Sequence, residues 1–197
     1  MDSAALLAFL AAAVPSFFTP GPNNLMLMAS GARFGITRTL PHMFGIVFGF
    51  PLMVFVVGLG LGEVFTAFPW LKTVLKFVAA AYFLWLAWHL IGIKIGDVDA
   101  KSRPLRFIQA ALFQWVNPKA WAMAVSFTVL MVVPGDGKLV SLAMLTIACV
   151  LVGSVSAIAW LAGGSGIKAL LERTGGERYV GYVLAALMVV AVILFLL

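Results

Sequence analysis

The sequence predicts an all-α integral membrane protein: six transmembrane helices arranged as two inverted three-helix repeats, with helices one and four broken near the midplane. Three observations lead there. Of 197 residues, 63% are hydrophobic and only 10% are charged, whereas a soluble domain is about one quarter charged. A chain of this size has no interior large enough for so much apolar surface, so lipid must solvate much of it. The apolar residues fall into six long runs, and the first and fourth are interrupted by proline and asparagine.

The runs cover Ala5–Ser30, Leu40–Gly62, Trp70–Ile93, Phe107–Val132, Leu139–Ala162 and Tyr179–Leu197. Each approaches or exceeds the ~20 residues a helix needs to cross ~30 Å of hydrocarbon. Ten-residue stretches alternating polar and apolar are missing, which argues against a β-barrel. The longest polar loop is "GDVDAKSRPLR", Gly96–Arg106. With no soluble domain visible, residues 1–197 are expected to form one transmembrane domain, split into repeats at 1–96 and 97–197.

The net charge of +6 sits in the loops, where basic residues set orientation and touch anionic lipid, so membrane lipid is an expected partner and nucleic acid is not. Arg33, Arg38, Lys94, Lys101, Arg103, Arg106, Lys168, Arg173 and Arg178 fall on one side of the six-span arrangement; only Lys72, Lys76 and Lys138 fall on the other. The richer side is expected to be cytoplasmic, which puts both termini outside. The N-terminal run carries "AAA" at Ala11–Ala13 but lacks the positive n-region of a secretory leader, so it is expected to be a span.

The first run is interrupted by "TPGPNN", Thr19–Asn24, and the fourth by "QWVNPKAW", Gln114–Trp121. Proline removes a backbone donor and clashes one turn back. A lysine at a helix centre, here Lys119, costs roughly 2.5–3.5 kcal/mol on insertion scales and faces protein or water rather than lipid. Pro22 and Pro118 lie 96 residues apart, nearly half the chain, each in the first helix of a three-helix set. An odd-numbered set, repeated, must be inverted, and interrupted helices at matching places in inverted halves point to a transporter site. Depth agrees: 12 residues separate Gly21 from Arg33, and 12 separate Arg106 from Pro118. Both breaks then lie roughly 18 Å from the basic belt, facing one hydrated cavity, the one setting in which irregular backbone is tolerated at membrane depth. Paired proline kinks that only help helices pack are the plainer alternative.

At these residues the chain resembles a known family. "FFTPGPNNLMLMASGARFG", followed about 90 residues later by "NPKAW", is similar to the LysE/RhtB family of amino-acid exporters. "AAYFLWLAWHL", Ala80–Leu90, resembles the branch that exports cysteine and O-acetylserine. The resemblance covers nearly the whole chain. It implies a six-helix exporter in the bacterial inner membrane that moves small amino acids or derivatives outward, coupled to protons. The motif residues carried over are Thr19, Pro20, Gly21, Pro22, Asn23 and Asn24, with Asn117, Pro118, Lys119, Ala120 and Trp121. The wider superfamily includes electron carriers with paired intramembrane cysteines and movers of metal ions. The single Cys149 and the missing midplane carboxylate, thiolate or imidazole ligands argue against both. No metal and no cofactor are expected, and no enzyme activity.

A zwitterionic amino acid needs partners at both ends. Half-helix N-termini offer N–H groups to a carboxylate and half-helix C-termini offer carbonyls to an ammonium. Lys119 is the candidate carboxylate partner, and Asn23, Asn24 and Asn117 the candidate amide donors, with Gly21 allowing close approach and Pro20, Pro22 and Pro118 holding the breaks open. The alternatives are that Lys119 merely donates to freed helix carbonyls and that the asparagines tie helices together. No Asp or Glu lies mid-span, which leaves Lys119 as the candidate for proton exchange. A passive pore or a structural membrane protein is the alternative function.

Remaining features point to packing and surface. Gly31/Gly35, Gly45/Gly49, Gly58/Gly62 and Gly181/Ala185 are small residues four apart that let helices approach closely within the bundle, or between copies in a homodimer. Cys149 is expected to be a small buried apolar side chain, His42 and His89 to lie at the surface, and Trp70, Trp88 and Trp160 to anchor at the interface or pack. "GGSG", Gly163–Gly166, reads as a helix stop, and "KALLERTGGER", Lys168–Arg178, as a short cytoplasmic amphipathic turn.

Overall fold

A computed structural model describes residues 3–60, 67–91, 103–174 and 179–196. Among them every regular element is helical: α1 Ser3–Phe18, α2 Pro22–Phe34, α3 Ile36–Leu59, α4 Trp70–Ile91, α5 Phe107–Phe113, α6 Pro118–Met131, α7 Lys138–Thr174 and α8 Val180–Leu196. A 3₁₀ turn, Gln114–Val116, joins α5 to α6. By length and composition α3 and α7 can each cross a membrane, and α1 with α2, bent by 50°, makes a third span if taken as one.

The surface is that of a protein solvated by lipid. Leu7, Leu52, Val129 and Leu151 stand exposed on the outer faces, while Gln114, Asn117, His42 and Thr39 are buried. In water that distribution would be costly; in hydrocarbon it is the stable one.

Both predicted breaks exist. In the first run α1 ends at Phe18, and α2 starts with Pro22, whose missing N–H is an orphan at a first helical position in any case. In the fourth, the Gln114 carbonyl, left without a donor by Pro118, accepts from the Asn117 N–H at 3.2 Å. The chain turns at Asn117 and restarts as α6.

α7 is the central strut. It packs against α2 and α3 and touches α1 and α6, while α4 pairs with α8. Glycines set the closest approaches. A Cβ on Gly45 or Gly49 would strike the backbone of α5 at Phe107 and Ala111, and one on Gly31 would strike the Leu161 carbonyl of α7. Small residues thus bring helices of this chain together, as expected. Gly35 differs from that reading: it meets nothing and turns α2 into α3 at φ 78°, a left-handed conformation that favours glycine. Gly62 lies outside the described residues.

Two expectations are overturned along α7. The "GGSG" run does not stop the helix, which continues through Gly163–Gly166 to Thr174. The glycine there serves contact instead: a Cβ on Gly164 would collide with the Met28 carbonyl of α2, and Ser165 Oγ donates to the Gly31 carbonyl at 3.3 Å. Lys168–Thr174 is accordingly helix rather than turn; residues 175–178 lie outside the described set. His42 is not a surface residue: it is 1% exposed, with Nδ1 3.1 Å from Ser30 Oγ, because α3 turns it toward α2. The side chain of His89 is outside the described ones. Cys149 is buried, Trp70 and Trp88 are exposed, and Trp160 packs partly buried on the core.

Candidate functional site

The two breaks meet. Lys119, second residue of α6, reaches across to the end of α1, where Nζ donates to the Thr19 carbonyl at 3.0 Å and to Thr19 Oγ1 at 3.1 Å. Gly21 makes room for it. Its backbone is extended, which any residue adopts, but a Cβ there would sit 2.9 Å from Lys119 Cδ and Nζ.

The carbonyls of Pro15, Phe17 and Thr19, at the end of α1 and in the break, find donors. Thr19 N–H and Oγ1 each donate to Pro15 at 2.8 Å. Asn24 Nδ2 donates to Phe17 at 2.7 Å and to Thr19 at 2.9 Å, folding back over the break. Ser156 Oγ of α7 donates to Phe17 at 2.7 Å. On the other break, Asn117 Oδ1 accepts from Lys119 N–H at 3.1 Å as the N-cap of α6. Trp121 Nε1 donates to the Trp115 carbonyl at 2.9 Å.

Asn23 and Gln114 pair through their amides. Asn23 Nδ2 donates to Gln114 Oε1 at 2.8 Å, and Gln114 Nε2 donates back to Asn23 Oδ1 at 3.2 Å. Gln114 went unread in the sequence because its partner lies 91 residues away. A polar side chain inside an apolar run was the available signal.

These groups border a cleft of about 560 Å³, counted to its open mouth and including the solvent there. Gly21, Pro22, Asn23, Asn24, Asn117 and Lys119 line it. Phe17 and Ser16 of α1, Phe50 and Pro51 of α3, Ala120 and Met123 of α6, and Cys149, Gly153 and Ser156 of α7 complete the wall. Of the remaining expected residues, Thr19 and Pro20 are exposed at the break and Pro118 is buried beside it. Trp121 is half-buried against Trp115, ring centroids 5.9 Å apart.

Two electrostatic features stand out. Among the described residues no carboxylate pairs with Lys119; its acceptors are the neutral oxygens of Thr19. It also sits in the first turn of α6, where the helix dipole disfavours a cation. Helix stability does not explain its presence, and the carbonyl-rich end of α1 offsets the conflict. The arrangement can hold a carboxylate by a charge-assisted hydrogen bond. No group of three His, Cys, Asp or Glu side chains gathers among the described residues.

Comparison with known proteins agrees in scale with the whole chain. Residues 15–197 match the family model described as "LysE type translocator". A cysteine/O-acetylserine efflux protein of Klebsiella pneumoniae is 27% identical over 192 residues, 96% of this chain and 95% of its own. Proteins of the same name from Salmonella typhimurium and Escherichia coli K12 are 26% identical over 185 residues, 93% of each chain, and 25% identical over 190 residues, 96% of each chain. No solved structure matches. The chain belongs to the LysE type translocator family.

Proposed function

We propose that this protein exports small amino acids or their derivatives, of the cysteine and O-acetylserine kind, from the bacterial cytoplasm across the inner membrane. The single observation that carries the reading is a lysine with no carboxylate partner among the described residues, held between two helix breaks on the wall of a cleft. The relatives' names supply the substrate class. Among the described residues no Asp or Glu lines the cleft, which fits a neutral side chain better than a dibasic one.

The chemistry is an exchange of partners. Lys119 occupies the Thr19 carbonyl and hydroxyl, which is where a substrate ammonium would be received. When a zwitterion enters, Lys119 turns to its carboxylate and Thr19 accepts its ammonium. Each cation keeps its hydrogen bonds, so the swap carries little penalty. The N-termini of α2 and α6, both at the cleft, add favourable potential for the carboxylate. Among the described lining residues Lys119 and Cys149 are the ionisable side chains, which makes Lys119 the proposed proton carrier in a proton-coupled cycle. The breaks fit six spans built as two inverted repeats, 1–96 and 97–197, with the clefted breaks near the midplane and the C-terminus outside.

Counterflow in proteoliposomes tests this. Vesicles loaded with unlabelled cysteine should take up labelled cysteine faster than empty ones, because a carrier returns occupied. A passive pore gives equal rates, and that result refutes the reading.

A further inference from the structure

The Asn23–Gln114 pair differs in kind from the Lys119–Thr19 contact. Gln114 is 0% exposed, and both donors of its amide are used. Oε1 accepts from Asn23, while Nε2 donates both to Asn23 Oδ1 and to the Ala110 carbonyl at 2.8 Å. That carbonyl is the one the Gln114 backbone N–H passes over when it bonds Ala111 at the tightened end of α5. The side chain therefore ties the 3₁₀ turn of one broken run to the first turn of α2 in the other. Neither N–H of the amide is left to donate to a ligand.

Separating the pair would leave the buried Gln114 carbonyl oxygen without its donor and strip Asn23 of its partner, whereas Lys119 can leave Thr19 for any carboxylate that enters. One contact is suited to stay and the other to exchange. We propose that Gln114 is a positioning residue: its clasp on Asn23 holds the two breaks in register, so that Lys119 remains opposite Thr19 across the cleft. The consequence for exchange rests on the transport function proposed above; the geometric claim does not.

The test combines two measurements on reconstituted protein. One is counterflow of labelled cysteine. The other is the rate at which a maleimide labels Cys149, the one cysteine in the sequence, which lines the cleft and is fully buried, measured without cysteine present. Gln114→Met keeps the chain length and removes the amide. It is expected to slow maximal exchange about tenfold with KM within about twofold, and to speed Cys149 labelling about tenfold as the breaks loosen. The exchanged pair N23Q/Q114N rebuilds the two amide bonds in reverse and should recover much of both values. N23L/Q114M removes both amides, so neither is left facing an apolar partner; the Ala110 carbonyl loses its side-chain donor as in Gln114→Met, and exchange should stay slow. Wild-type exchange and labelling in either Gln114→Met or N23L/Q114M would overturn the clasp. If the wild type exchanges no cysteine, the transport function falls and the labelling rates alone decide on Gln114.

Discussion

Lys119→Met separates what Lys119 does for the fold from what it does for a substrate. Methionine keeps an unbranched stem beside Gly21 and removes the ammonium. The Thr19 carbonyl then loses one donor but keeps Asn24 Nδ2 at 2.9 Å, and Thr19 Oγ1 keeps its bond to the Pro15 carbonyl at 2.8 Å. No buried group is orphaned, and a half-buried charge no longer needs to be desolvated. Stability should therefore change by no more than about 1 kcal/mol. Transport should change far more. A hydrogen bond between a charged donor and a carboxylate contributes about 1.5–3 kcal/mol, which is about ten- to a hundredfold in kcat/KM. Lys119→Arg is not expected to rescue, because the wider guanidinium has to fit where a Cβ on Gly21 would already be 2.9 Å from the side chain. The assay is labelled-cysteine counterflow, with thermal unfolding in detergent as the stability control. Exchange by Lys119→Met within about twofold of wild type, at substrate below KM, would refute the partner swap.

Other expectations follow from the same contacts. Gly21→Ala should fold normally yet lose most exchange, since the new Cβ displaces only the flexible end of Lys119 and takes it off Thr19; counterflow beside a thermal melt checks it. Gly164→Ala should destabilise by about 2 kcal/mol or more, because the Cβ meets the Met28 backbone rather than a movable side chain. A melt unchanged or raised, as for glycine replaced in an unconstrained helix, would show that the α2–α7 contact is looser than described.

What the sequence revealed and what it hid divide along physical lines. The breaks at Pro22 and Pro118 were legible because proline acts on its own helix: the lost N–H and the clash are local. Lys119 was legible because a charge in an apolar run needs a polar surrounding wherever it points. The role of Gly164 was not, because glycine's local meaning, a stop, competed with a tertiary one, access for another helix, and only the approach of Met28 decides between them. His42 was placed at the surface by counting along a span, yet burial depends on which way α3 faces, and α3 faces His42 toward Ser30. The asparagines were half legible. Their types announced hydrogen bonding at the breaks, but Asn24 and Asn117 serve the backbone of their own turns and Asn23 serves Gln114.

α7 lies along the fracture between α1 and α2 like a splint. At its middle Ser156 grips the last turn of α1, and one segment further on Gly164 and Leu161 are pressed against α2. The 50° elbow of the first run is thus set by a rod from the other half of the chain. Any rocking that slides this rod must flex the elbow, so motion between the halves reshapes the mouth of Thr19 without needing a separate gate.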